Sequence, residues 1–284
     1  MEQNLPTQPG ECVSCGTALQ GKFCYSCGEK KLSPSKDFSV WHFLVDTFEH
    51  FTHLDSKLLR SLWALFSKPG FLTAEFIAGR RVRYFKPIPL FVIASILFYL
   101  FFEKATSFFI NLGDISQGYT NGNWLTNTFH VDTGSLFTQK ATAANREPAA
   151  YWQEMSLNAA EKSKTWLFLI VPVWGLAIWA FFYRKIKWFV PHLIFALHGL
   201  TFFVLFDMVA LLFGKYVLGF NQLGDLFVLV LAICFALYNV LAVRRVYELG
   251  WLAAAFAGTA TMLSFLIVLM LYRQVITIWT LMVY

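Results

Sequence analysis

PHLIFALHGLTFFVLFDMVALLF, residues 191–213, decides the fold class: twenty-three residues carry two histidines, one acid and no lysine or arginine. About 20 helical residues cross the roughly 30 Å hydrocarbon core of a bilayer, so this stretch reads as a membrane span. Working outward, four more apolar segments lie near 87–102, 165–183, 225–243 and 251–271. The first of these is short, and Pro87 and Pro89 fit the opening turn of a helix, where a missing N–H costs little. The whole chain agrees, with 57% hydrophobic and 14% charged residues against roughly 25% charged in an average soluble domain.

Orientation follows from lysine and arginine on alternate sides of the spans. With the N-terminus inside, sixteen of the 23 Lys and Arg residues fall on the inner side, including Arg184, Lys185, Lys187, Arg244 and Arg245. The N-terminus is therefore expected in the cytoplasm, the loop 103–164 outside, and the C-terminus outside. No apolar leader is expected in residues 1–37, which are polar and hold four cysteines. A net charge of +6 raises the question of nucleic acid, but the cations flank apolar spans and form no aromatic-interleaved surface, so none is expected as a partner.

The N-terminal cysteines form two knuckles, Cys12-Val-Ser-Cys15-Gly and Cys24-Tyr-Ser-Cys27-Gly. The glycine after each second cysteine permits the tight turn that brings backbone N–H groups to the thiolates. Two such knuckles supply four sulfurs for a tetrahedral, coordinatively closed structural Zn2+, with a redox dithiol or an iron–sulfur cluster as alternatives. Between the knuckles Lys22, Phe23 and Tyr25 offer a small contact surface for a cytoplasmic protein partner.

From Phe38 to Phe66 the residues Trp41, Leu44, Phe48, Phe51, Leu58, Leu62 and Leu65 recur at helical spacing, an amphipathic collar lying on an apolar surface. His42, Asp46, Glu49, His50 and His53 share the opposite arc, either as a solvated face or as a second metal or polar cluster. Asp55-Ser56 reads as the cap of a second helix beyond a break. After Lys68-Pro69-Gly70 a short helix near Thr73 ends at Gly79. Arg80, Arg81, Arg83 and Lys86 then stand where anionic lipid headgroups bind, or serve orientation alone.

Within the spans, His192, His198 and Asp207 are costly residues and functional candidates. His198 and Asp207 point to opposite sides of one helix, which argues against a proton wire along it. A polar pocket of His192, His198, Tyr238, Asn239 and Arg244 is geometrically open, as a structural hydrogen-bond cluster, a ligand or lipid-headgroup site, or a catalytic one. His198 is expected to face Asn239 on the next span.

The string containing Glu49-His50-Phe51, Leu54-Asp55, Lys68-Pro69-Gly70, Phe76-Ile77-Ala78-Gly79-Arg80-Arg81-Val82-Arg83-Tyr84 and Lys86-Pro87 resembles an uncharacterised bacterial membrane family, domain of unknown function 3667. Phe195-Ala196-Leu197-His198 and Arg244-Arg245-Val246-Tyr247 are similar as well. The resemblance implies an N-terminal zinc ribbon joined to several spans, and no settled activity.

These readings give an all-α polytopic membrane protein of about five transmembrane helices. Its parts are a zinc ribbon and linker (1–37), cytoplasmic amphipathic helices (38–86), and a transmembrane domain (87–284) in a bacterial inner membrane. No nucleophile elbow, phosphate-binding glycine loop, H-E-x-x-H helix or nucleotide fingerprint appears, and no catalytic residue is assigned. The expected function is non-enzymatic docking of a cytoplasmic partner in envelope assembly, sensing or regulation, with transport or lipid handling as the alternative. Homo-oligomerisation stays open.

Overall fold

The computed structural model describes residues 10–33, 37–41, 43, 56–101, 133–147, 150–151, 154–155, 166–216 and 225–283. The collar residues Leu44, Phe48, Phe51 and Asp55 lie outside the described residues, as does the polar arc His42, Asp46, Glu49, His50 and His53. Most of the loop 103–164 does too. The chain divides into two compact units, Met1–Phe101 with Val171–Phe265, and Phe102–Ile170 with Leu266–Tyr284.

Among the described residues the ordered elements are helical, apart from two isolated bridges in the N-terminal knob. They are α1 (Ser56–Ser67), α2 (Phe71–Ile77), α3 (Pro87–Phe101), α4 (Thr133–Ala143), α5 (Ile170–Phe182), α6 (Phe189–Tyr216), α7 (Asp225–Tyr247) and α8 (Trp251–Val283). The five apolar segments each became a helix with shifted bounds: α5 starts only at Ile170, and α7 runs on through Arg244 and Arg245 to Tyr247. Helix α6 starts two residues early, at Phe189, and α8 runs on past Arg273 and Gln274 to Val283. Among the described residues, three helices are long and apolar enough to cross a bilayer: Phe189–Gly214, Leu229–Tyr247 and Trp251–Thr280. The apolar stretches Pro87–Leu100 and Leu167–Phe182 are shorter.

Helix α6 is the hub of the first unit. In its most apolar window 72% of residues are buried, against 33% in α7 and α8. It packs most extensively on α3 and also touches α1, α2 and α7. Burial of most of its surface explains its sequence, which is apolar on nearly every face. The core beside it is aromatic: Trp174 lies 4.8 Å from Phe265, and Phe203 lies 5.0 Å from Phe235, ring centre to ring centre. The indole N–H of Trp174 donates to the Thr261 carbonyl at 3.2 Å, so the largest buried ring leaves no polar atom stranded.

Helices α1 and α2 form a hairpin around Lys68-Pro69-Gly70. Pro69 and Gly70 end α1 as expected, and Gly70 takes a positive φ of 73°. The hairpin is packed into the bundle. Ser61, Ala64 and Leu65 of α1 are buried, the Ser61 hydroxyl accepts from the Phe85 N–H at 2.8 Å, and Phe66 stacks at 5.3 Å on Phe202 of α6. Arg245 of α7 donates to the Pro69 carbonyl at 2.7 Å. Leu59 and Trp63, one turn apart on the other side of α1, stay exposed.

In the second unit Lys140 at the end of α4 donates to the Met282 carbonyl at 3.3 Å, and Trp166 and Trp279 pack at 5.4 Å.

Candidate metal centre and basic cleft

The knob repeats one device twice. The Gly16 N–H donates to the Cys12 carbonyl at 2.8 Å and the Gly28 N–H to the Cys24 carbonyl at 2.9 Å. Both glycines sit at φ 75°, the left-handed turn that the C-x-x-C-G spacing demanded. The turns bring the four sulfurs of Cys12, Cys15, Cys24 and Cys27 within 4.8 Å of one another, with Cys12–Cys27 and Cys15–Cys24 both at 3.5 Å. A metal bonded tetrahedrally to thiolates at about 2.3 Å has sulfur edges of about 3.8 Å, so the set fits such an ion. As free thiols Cys15 and Cys27 do not ionise alike. The Thr17 hydroxyl and N–H hold Cys15 down at about 6. Cys27, although its sulfur takes the Glu29 N–H, is pushed up to about 12 by burial and the neighbouring sulfurs. Four thiolates at this spacing need a cation among them, and taking one up releases protons.

Glu29, two residues past the last ligand, fastens the knob to the rest of its unit. Its carboxylate is 2% exposed, and Oε2 accepts from the Ser14 hydroxyl at 2.7 Å, the Arg81 N–H at 2.9 Å and the Val82 N–H at 3.1 Å. Arg83 returns a bond to the Ser14 carbonyl at 3.0 Å. Buried Asp37 accepts from Lys30 at 3.1 Å and from the Ser33 N–H at 2.6 Å, with Arg81 4.0 Å away. The Arg81 guanidinium lies 4.0 Å above the Phe76 ring. The aromatics Phe23 and Tyr25 remain 61% and 73% exposed.

The basic segment does more than flank a span. Arg80 donates to Glu75 through Nε at 2.8 Å and through Nη2. Leu72, Phe76, Arg80, Arg81, Tyr84, Phe85, Lys86, Pro87 and His198 together line a small, half-open cleft.

The block that builds the hairpin, the clasp and this cleft is also the part of the chain with relatives. A model of the family described as Protein of unknown function (DUF3667) matches residues 55–99. Over residues 55–99 the chain is similar to DUF3667. No curated protein and no solved structure matches the chain. The DUF3667 block thus runs from the N-terminal end of α1 through the clasp residues Arg81 and Val82 into α3.

The intramembrane residues read from the sequence go to separate partners. His198, expected against Asn239, instead places Nδ1 2.9 Å from the Thr73 hydroxyl in the DUF3667 block. The α1–α2 hairpin occupies the side of α6 where Asn239 was expected, and the Asn239 amide donates to the Phe235 carbonyl of its own helix at 2.9 Å. His192 bonds the Tyr247 hydroxyl at 2.8 Å and the Ile186 carbonyl at 3.0 Å, both ring nitrogens used structurally. Tyr238 stacks on Phe202 at 3.6 Å, and exposed Arg244 lies 3.9 Å over the Trp251 ring.

Glu29 and Thr73 carry the geometry and escaped the sequence reading. Glu29 had one signal: the knuckles align residue by residue through Gly16 and Gly28, then diverge at Thr17 and Glu29. Thr73 had none.

Asp207 is 2% exposed, and neither carboxylate oxygen has a hydrogen-bond partner among the described residues. A stranded polar group of this kind costs about 1–3 kcal/mol. Asp207→Leu is expected to raise stability by about that amount in detergent unfolding. A loss of stability instead would mean that the carboxyl is held by a group outside the described residues.

Proposed function

We propose that the protein is a docking module of a bacterial inner membrane. A zinc-bearing ribbon presents Phe23 and Tyr25 to a cytoplasmic protein partner. In this reading α3 and α5–α8 all cross the bilayer, the N-terminus and the amphipathic hairpin are cytoplasmic, and the C-terminus is outside. The positions of Arg184, Lys185, Lys187, Arg244 and Arg245 at one end of these helices support that orientation. Zinc is favoured by the four-thiolate set, and a closed set of this kind has a structural role.

The observation that carries the reading is the clasp. Glu29 fixes the ribbon on the Arg81-Val82 backbone while leaving two large aromatics uncovered. A ribbon needed only for its own fold gains nothing from rigid attachment with its aromatic knuckle exposed, whereas exposed aromatic anchors on a preorganised base are what a partner pocket takes.

The test uses two double variants of the full chain purified from native membrane. Cys24→Ser/Cys27→Ser is expected to lose the one equivalent of zinc, and with it any bound cytoplasmic protein. Phe23→Ser/Tyr25→Ser is expected to keep zinc and thermal stability yet lose the same protein. If the aromatic variant co-purifies with that protein as the wild type does, the docking reading fails. Undiminished zinc in the cysteine variant removes the metal assignment.

A further inference from the structure

The cleft between α2, the segment 80–87 and α6 has the makings of a binding site. The recess is small, with enclosed space of about 20 Å³ against the roughly 300–1,000 Å³ of small-ligand pockets, so it suits one small group and not a whole ligand. Three cationic residues line it, and Glu75, the carboxylate paired with Arg80, is not among the lining residues. An Arg guanidinium has five N–H donors in a fixed fork, and Glu75 takes two of those of Arg80. Apolar Leu72, Phe76, Phe85 and Pro87 make up the remaining walls, with Tyr84.

His198 turns this basic dent into a built site. Its side chain is 4% exposed, it comes from a helix in the centre of the unit, and it reaches the cleft wall past the buried Thr73 hydroxyl. When that hydroxyl donates to Nδ1, the ring proton stands on Nε2, which leaves a second donor on a residue that lines the cleft. A neutral imidazole N–H, a guanidinium and an ammonium around a narrow apolar-walled recess match an acceptor with several oxygens and a negative charge.

We propose that this cleft binds a phosphate group, with His198, Arg80 and Lys86 as its donors. Arg81 holds the clasp and lines the same cleft, so the site adjoins the attachment point of the ribbon. The phosphate has two available sources, a phospholipid headgroup and free phosphate, and the experiment separates them.

The full chain, freed of lipid in a neutral detergent, is titrated with phosphatidylglycerol, with the phosphate-free diacylglycerol and with inorganic phosphate. Retained molecules are followed by native mass spectrometry and thermal shift. The wild type is expected to hold phosphatidylglycerol and not diacylglycerol. Lys86→Gln and His198→Gln are each expected to weaken that binding about tenfold, the loss of one hydrogen bond to a charged group. Lys86 lines the cleft and is only half-buried, so Lys86→Gln tests the site even where the His198 variant loses stability. Binding of inorganic phosphate alone, abolished by the same substitutions, also supports the site and assigns free phosphate as its source. The proposal is overturned by equal retention in wild type and in folded Lys86→Gln, or by binding of neither phosphate probe.

Discussion

Gly70→Ala is expected to cost about 2–5 kcal/mol of stability. Two causes combine. A side chain at φ 73° carries the left-handed penalty of about 1–2 kcal/mol, and here the new Cβ would also stand 2.7 Å from the Ala242 carbonyl oxygen and 2.8 Å from its Cα. Those obstacles are backbone, so no rotamer change relieves them, and the α1–α2 hairpin has to back away from α7. Gly16→Ala separates the terms: φ is 75° and nothing lies within 4 Å of the added atom, so only the backbone penalty applies. Unfolding of both variants in detergent, followed by tryptophan fluorescence, measures the difference. Equal losses would show that the close approach to Ala242 relaxes without cost.

Glu29→Ala is expected to free the ribbon without emptying it. Removing the carboxylate leaves the Arg81 and Val82 N–H groups and the Ser14 hydroxyl without their shared acceptor, a loss of about 2–4 kcal/mol from the attachment. The four thiolates stay in place, so metal content should match the wild type while amide exchange quickens at 80–83 and across 10–33. Unchanged protection at Arg81 and Val82 would show that the Arg83–Ser14 and Arg81–Asp37 contacts hold the ribbon alone.

The sequence was informative wherever structure is set by neighbours along the chain. The C-x-x-C-G knuckles are local turns, and their glycines took the positive φ their spacing called for. Hydrophobic length located α3 and α5–α8 because each is a continuous apolar run. Helix α8 outran the reading at Arg273, since one cation ends an apolar run on paper and not a backbone hydrogen-bond ladder. What stayed hidden were pairings between distant residues. Thr73 meets His198 across 125 positions, and Glu29 meets Arg81 across 52. Neither leaves a periodic trace, because one hydroxyl or one carboxylate in a suitable place satisfies the geometry. The collar was read as resting on an apolar surface, since amphipathicity shows that a helix face is covered and not how deeply the helix is packed.

The attachment of the hairpin to α6 and α7 also sets an order of events during biosynthesis. Gly70 cannot reach Ala242, nor Pro69 meet Arg245, until the ribosome has made some 170 further residues. At about 5–20 residues per second that is a delay on the order of 10–30 s. Until α6 and then α7 emerge, Leu65 and Leu72, buried in the finished protein, lack the helices against which their hairpin packs. Nascent chains arrested between residues 100 and 190 should therefore be the forms that holdase chaperones and membrane proteases capture most readily.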